Sequence, residues 1–268
     1  GMLLSTTGMV PLDSLLFGTL GIGLAAASAA AFNHVLDRRI DAKMLRTRAR
    51  PIPTGQVSQR QALVFATGLG VVSMVVLALL VNPLTAVLTF FALIAYAVVY
   101  TAYLKHATPQ NIVIGGAAGS APPVLGWAAV TVAVEPDALL LFLIIFAWTP
   151  PHFLALAIAR KDDYAKAGVP MLPVTHGVEF TGLHIFLYTI LLVVITIFPY
   201  LTGMSGLLYL VGALVLGGFF LFYAYGLLRH QPRSLSMKTF SFSIVYLMLL
   251  FALLLIDHYW LALARLVG

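Results

Sequence analysis

Asn33, Asp37 and Asp41 follow one another at intervals of four residues, and a second polar segment carries Asp162 and Asp163 side by side. On an α-helix each four-residue step advances about 40°, so the first three side chains share one face over roughly 12 Å. Oxygen donors so arranged suit a hard cation such as Mg²⁺, which retains waters and is usually held by one or two carboxylates together with substrate phosphates. Asn33, Asp37, Asp41, Asp162 and Asp163 are therefore the candidate metal ligands, with Asp37, Asp41 and Asp163 the candidate catalytic acids. Two such clusters facing each other would clamp a diphosphate between metal ions. Arg38, Arg46, Arg50, Lys105, Arg160 and Lys166 are candidates, with the Asn33 amide, for the phosphate oxygens. The plainer reading pairs Asp37 and Asp41 with neighbouring cations at a solvated helix end. The second cluster, Arg160-Lys161-Asp162-Asp163-Tyr164-Ala165-Lys166, weighs against it.

Acids are scarce in this chain: the four clustered aspartates are nearly half of only nine carboxylates in 268 residues. Charged residues make up 9% where a soluble protein has roughly 25%, and hydrophobic residues 61% where it has about 45–50%. With a mean hydropathy of +1.02, that composition describes a polytopic membrane protein, so the lipid bilayer is the expected surrounding. Cysteine is absent, which excludes disulfide scaffolds, thiolate metal centres and cysteine nucleophiles. The net charge of +6 does not point to nucleic acid, because the basic residues sit in short segments between apolar runs.

The elements that must position the clusters are helices. A span needs about 20 mostly apolar residues, and eight segments qualify: 12–36, 61–81, 83–103, 111–132, 138–159, 181–201, 205–228 and 240–262. Barrel strands would be about ten residues long with alternating polarity, and nothing here alternates that way. The expected fold is all-α, a transmembrane bundle forming one domain over 1–268. Loop 37–60 carries seven basic residues, loop 104–110 one, and loops 160–180 and 229–239 three each, while the intervening connections carry none. Only Arg265 lies beyond the last span. By the positive-inside rule these four loops are cytoplasmic, or on the matrix side in an organelle, which puts both acidic clusters at the same membrane face. Gly1–Thr7 reads like the tail of a further apolar segment, so a ninth, N-terminal span is expected to be missing.

Asn33-His-Val-Leu-Asp37-Arg-Arg-Ile-Asp41, followed by Arg46-Thr47 and Arg50-Pro51-Ile52-Pro53-Thr54-Gly55, resembles the first aspartate motif of the UbiA-type intramembrane prenyltransferases. Within that family, Trp148-Thr-Pro-Pro-His152 through Asp162-Asp163-Tyr164 to Pro173-Val174, with Thr108-Pro109-Gln110-Asn111 through Gly119, resembles the branch that farnesylates haem. The similarity extends over essentially the whole chain. It implies an Mg²⁺-dependent enzyme of the bacterial inner membrane. Its substrates would be farnesyl diphosphate and haem B, joined at a haem vinyl group with addition of water to give haem O. A downstream haem-modifying membrane enzyme or an oxidase assembly factor is the implied partner. Family members usually have nine spans, the first preceded by a Lys-Pro-Arg element that this sequence lacks. Related aromatic prenyltransferases place two aspartates four apart in the second motif; here Lys166 lies four after Asp162, and Asp163 best matches the haem branch. Asp162 is thus the weaker ligand. Rival readings are a prenyltransferase for an aromatic quinone precursor and a non-catalytic haem-binding or transport protein.

His152 falls inside the fifth span, about seven residues or roughly 10 Å from its cytoplasmic end. A polar group at that depth is a functional candidate. After the resemblance it is a candidate for the haem acceptor side, as an iron ligand or an acid–base group, with an interhelical hydrogen bond as the structural alternative. Pro122-Pro123 and Pro150-Pro151 are expected to interrupt helices and open room for a ligand. Gly115, Gly116 and Gly119 read as a close-packing face. Tyr96, Tyr100 and Tyr103 read as belt or core aromatics whose π faces could also steady an allylic cation.

Overall fold

The computed structural model describes residues 1–230 and 233–267; the side chains of His106 and of residues 261–267, Arg265 among them, lie outside the described set. Among the described residues eight helices are long and apolar enough to cross a membrane, and no strand occurs. The spans are Leu12–Leu36, Gln59–Leu80, Pro83–Leu104, Asn111–Thr131, Pro136–Ala159, Gly177–Leu201, Leu207–His230 and Arg233–Trp260. The sixth starts four residues earlier than hydropathy suggests and the eighth seven earlier, so Glu179, Arg233 and Lys238 are helical rather than in loops. Hydropathy marks where a helix enters hydrocarbon. It does not mark where the backbone ladder ends, because charged residues extend a helix into water without penalty.

Four local features shape the bundle around the acidic clusters. The first span ends at Leu36, and Asp37 joins it to a further turn, Arg38–Asp41. The third span changes from α-helix at Pro83–Ile94 to π-helix at Ala95–Leu104. The fourth is interrupted between Asn111–Gly119 and Pro122–Thr131, where Pro122 and Pro123 occupy the first turn of the second piece. Ser120 Oγ donates to the Gly116 carbonyl at 2.7 Å, covering one acceptor at the break. The fifth span corrects an expectation: Pro150 and Pro151 lie inside an unbroken helix, Pro136–Ala159. Two prolines at a helix start take the positions whose N–H groups need no partner; in mid-helix, tertiary packing has overridden their cost.

Hydroxyls and small residues tie the helices together, as expected where lipid offers no hydrophobic drive. The first two spans exchange hydrogen bonds at two levels: Ser28 Oγ donates to Ala66 O at 2.7 Å, and Ser73 Oγ donates to Gly21 O at 2.6 Å. At the end of the bundle away from the aspartates, buried Asp257 of the eighth span accepts from the backbone N–H groups of Gly206 and Tyr209, capping the start of the seventh. Large apolar side chains such as Phe65, Leu79, Phe222 and Met248 remain exposed around the perimeter, as lipid-facing positions must.

Candidate active site

The first cluster is buried and held by residues far off in sequence. The backbone ladder runs through it: Asp37 N–H donates to Asn33 O and Asp41 N–H to Asp37 O, both at 2.8 Å. The four-residue rail therefore survives, although Asp37 is the cap between two helices and not the middle of one. Asp37 and Asp41 are only 2% and 4% exposed. Lys105 Nζ pairs with Asp37 Oδ2, and Arg50 Nη1 with Asp41 Oδ2 at 2.7 Å. Asn33 Nδ2 donates to Thr101 Oγ1 at 3.1 Å, and that hydroxyl donates to Tyr96 O at 2.9 Å. That carbonyl lies five residues back. The wider π turn thus carries Thr101 and, at its end, Lys105 onto the first span; π segments are frequent at functional sites. Thr47 Oγ1 donates to Asp41 O at 3.0 Å, folding the following loop back over the cluster.

The second cluster sits on a short helix, Lys161–Ala167. Arg160 and Asp163 form a loose pair at 3.7 Å, with the arginine side chain 37% exposed. Such a pair contributes little, so Asp163 is not committed to it. Asp162 and Lys166 are exposed. Met44 from the first loop and Ala167, Val169 and Met171 from the second belong to one buried apolar cluster, against which Ile40 and Tyr164 also pack, so a common core joins the two acidic segments. Tyr164 lies within electrostatic reach of Arg46 in the first segment and of Arg160 and Asp163 in its own. Burial pushes its phenol up from the usual tyrosine range; Arg46 and Arg160 oppose that and Asp163 adds to it, so the hydroxyl stays protonated.

Of the cations expected on phosphate, Arg50 and Lys105 are paired with the aspartates, and Arg38 is turned to the Val35 carbonyl at 3.3 Å. Arg46 is exposed on the loop, near enough to Tyr164 to act on it. Thr101 is a site residue that sequence reasoning does not reach, and Tyr100, read there as a belt or core aromatic able to steady an allylic cation, sits beside the first cluster. Tyr100 interacts electrostatically with Tyr164 and Asp37, and its ring lies over Gly115, which has no side chain to obstruct it. The four-residue interval between Tyr96 and Tyr100 was the one available signal.

An apolar chamber of about 290 Å³ opens beside the first cluster. Ala25, Ala29, Ala92, Tyr96, Gly119 and Leu125 are among its walls, so the break in the fourth span forms part of it. The chamber walls on the first span run from Ile22 to Ala30, and Asn33 follows within one turn. An elongated apolar tail and a charged head are thus accommodated end to end. Tyr103, by contrast, is 68% exposed.

Residues present at the first cluster fit a hard cation. Asp37 Oδ1 is buried and has no hydrogen-bond partner among the described residues. A buried acceptor left without a donor is costly, and a bound cation removes that cost. Among the described residues no three His, Cys, Asp or Glu side chains come together as a metal-holding group; Mg²⁺ is usually held by one or two carboxylates with waters and substrate phosphates.

His152 lies apart from the aspartates, at the contact of the fifth and eighth spans, and is 7% exposed. Its ring stacks on Trp148 at 4.2 Å and on Phe240 at 4.5 Å, and Nδ1 meets Ser243 Oγ at 2.7 Å. The interhelical bond considered as its structural role is therefore present.

The sequence profile of the UbiA prenyltransferase family matches residues 1–254. A protein named protoheme IX farnesyltransferase from Methylococcus capsulatus is 61% identical over 259 residues, covering 97% of this chain and 87% of that one. One of the same name from Thioalkalivibrio sulfidiphilus is 62% identical over 259 residues, with 97% and 86% covered. Among solved structures, a digeranylgeranylglyceryl phosphate synthase superposes with a TM-score of 0.81 at 18% identity, covering 96% of this chain and 90% of that one. A UbiA homologue from Archaeoglobus fulgidus, bound to DMAPP and Mg²⁺, superposes with a TM-score of 0.62 at 18% identity and 94% coverage of both chains. At those identities the structural likeness shows a common fold.

Proposed function

The chain belongs to the UbiA prenyltransferase family, and on that premise we propose that it transfers a farnesyl group from farnesyl diphosphate to a vinyl group of haem B, with addition of water, giving haem O. The observation that carries this reading is identity of 61% and 62%, over 97% of the chain, to proteins named protoheme IX farnesyltransferase.

Asn33, Asp37 and Asp41, with Asp163 opposite and Asp162 as a weaker contributor, are the ligands for Mg²⁺, which the Archaeoglobus homologue holds together with a prenyl diphosphate. When bound, Mg²⁺ supplies electrostatic stabilisation of the charge that builds on the diphosphate. Arg38, Arg46, Arg50, Lys105, Arg160 and Lys166 take up the remaining phosphate oxygens and steady the leaving group. The farnesyl C–O bond breaks, and the allylic cation is shielded from water by the apolar chamber, where the Tyr96 face favours positive charge. A haem vinyl carbon attacks to form the C–C bond. Water then adds to the cation left on the other vinyl carbon, and loss of a proton completes the hydroxyethylfarnesyl substituent. His152 serves the haem side.

By the positive-inside rule the acidic loops face the cytoplasm from a bacterial inner membrane, and the product passes to a haem-modifying membrane enzyme or to oxidase assembly. The test is incubation of the protein in detergent or nanodiscs with haem B, farnesyl diphosphate and Mg²⁺, followed by mass spectrometry. Haem gaining one farnesyl group plus water is the expected result. Pyrophosphate release without modified haem, or transfer to a quinone precursor instead, would overturn it.

A further inference from the structure

The contact between His152 and the eighth span determines which ring nitrogen is basic. Ser243 is fully buried, and its Oγ has two neighbours: the Phe240 carbonyl at 2.6 Å and His152 Nδ1 at 2.7 Å. A serine hydroxyl has one proton to donate and lone pairs to accept with. A carbonyl cannot donate, so that proton must go to Phe240. The Ser243 oxygen is then the acceptor toward the imidazole, and Nδ1 must carry the hydrogen. In a neutral ring this leaves the lone pair on Nε2.

The ring has little freedom to escape this arrangement. Trp148 and Phe240 cover its two faces at interplanar angles of 19° and 26°, and Phe153 meets it edge-on at 4.8 Å. Trp148 is itself anchored to the same serine, its indole Nε1–H donating to Ser243 O at 2.7 Å. One residue of the eighth span thus holds the fifth span's histidine and the aromatic ring stacked on it. A histidine whose Nδ1–H is tied to an oxygen while Nε2 is left basic is arranged as a metal ligand, since the second bond fixes the ring and raises the basicity of the ligating nitrogen.

We propose that Ser243 is a positioning residue that holds His152 as the Nδ1–H tautomer and so presents Nε2 as a ligand to the iron of the haem substrate. This rests on the haem reading given above. It explains why a histidine set apart from the aspartates is buried among aromatic rings beside a hydroxyl, where an acid–base group would need a route for its proton.

The test compares the full chain with Ser243→Ala, Ser243→Thr and His152→Ala. Nitrogen-15 NMR of the ligand-free protein should report Nδ1–H in the wild type and loss of that preference in Ser243→Ala. Haem B titration followed by absorption and resonance Raman should give an iron–histidine signature in the wild type and its loss in His152→Ala. Ser243→Ala should bind haem about 10–100-fold more weakly, the usual effect of losing such a supporting partner, and Ser243→Thr should restore binding. Affinity for a farnesyl diphosphate analogue should stay unchanged throughout. An Nε2–H ring in the wild type, an iron–histidine signature that persists in His152→Ala, or wild-type haem affinity in Ser243→Ala would each overturn the proposal. Failure of the farnesyl-transfer reading would show separately, as haem that binds the wild type through histidine but is never modified.

Discussion

Gly115→Ala tests the geometry around Tyr100 with a single methyl group. A Cβ built on Gly115 lies 2.1 Å from Tyr100 Cδ2, 2.5 Å from Cε2 and 2.9 Å from Cγ. Ordinary contact begins at 3.4 Å, so the ring must retreat by at least about 1.3 Å or the two spans must part. Overpacking of this kind costs about 1–3 kcal/mol. The ring cannot move without consequence, since it lies within electrostatic reach of Asp37 and Tyr164; a misplacement of about 1 Å at a reacting centre can cost about 10²-fold in rate. The expected outcome is a lower thermal midpoint in detergent together with a drop in kcat of up to about 10²-fold. Thermal unfolding and single-turnover farnesyl transfer measure the two effects independently. A Gly115→Ala protein with wild-type midpoint and rate would refute the packing argument.

Asp37→Ala and Asp163→Ala should each lower turnover by at least about 10²-fold with the protein still folded, the scale of losing one electrostatic contact to the transition state, while exposed Asp162→Ala should be milder; near-normal activity in either of the first two argues against paired clusters. Asp41→Ala should weaken a farnesyl diphosphate analogue and spare haem, and His152→Ala the reverse, because distant sites respond nearly independently; isothermal titration of each ligand decides. Ser73→Ala should cost about 0.6 kcal/mol, and at most about 1.7 kcal/mol, of stability, as interhelical hydrogen bonds in membranes do, checked by the unfolding midpoint. Reporters fused at Gln56 and Lys166 should give the same, cytoplasmic side and one at Glu135 the opposite side; Gln56 and Lys166 on different sides would separate the two clusters.

What the sequence settled by itself is whatever depends on neighbours along the chain. The eight apolar runs, the concentration of acids at two points and the bias of basic residues toward alternate loops are local quantities, because hydrocarbon demands helices of one length and one polarity. The four-residue rail of Asn33, Asp37 and Asp41 was legible for the same reason, since the helical ladder sets it. Tertiary structure decided the rest. Lys105 reaches Asp37 and Asn33 reaches Thr101 across 68 residues, and Ser243 reaches His152 across 91. No spacing rule links such pairs. The two proline pairs show the limit most clearly: one opens the fourth span beside the chamber while the other stays inside an unbroken helix. Proline removes the same donor in both places, and only the surrounding helices determine whether the backbone yields.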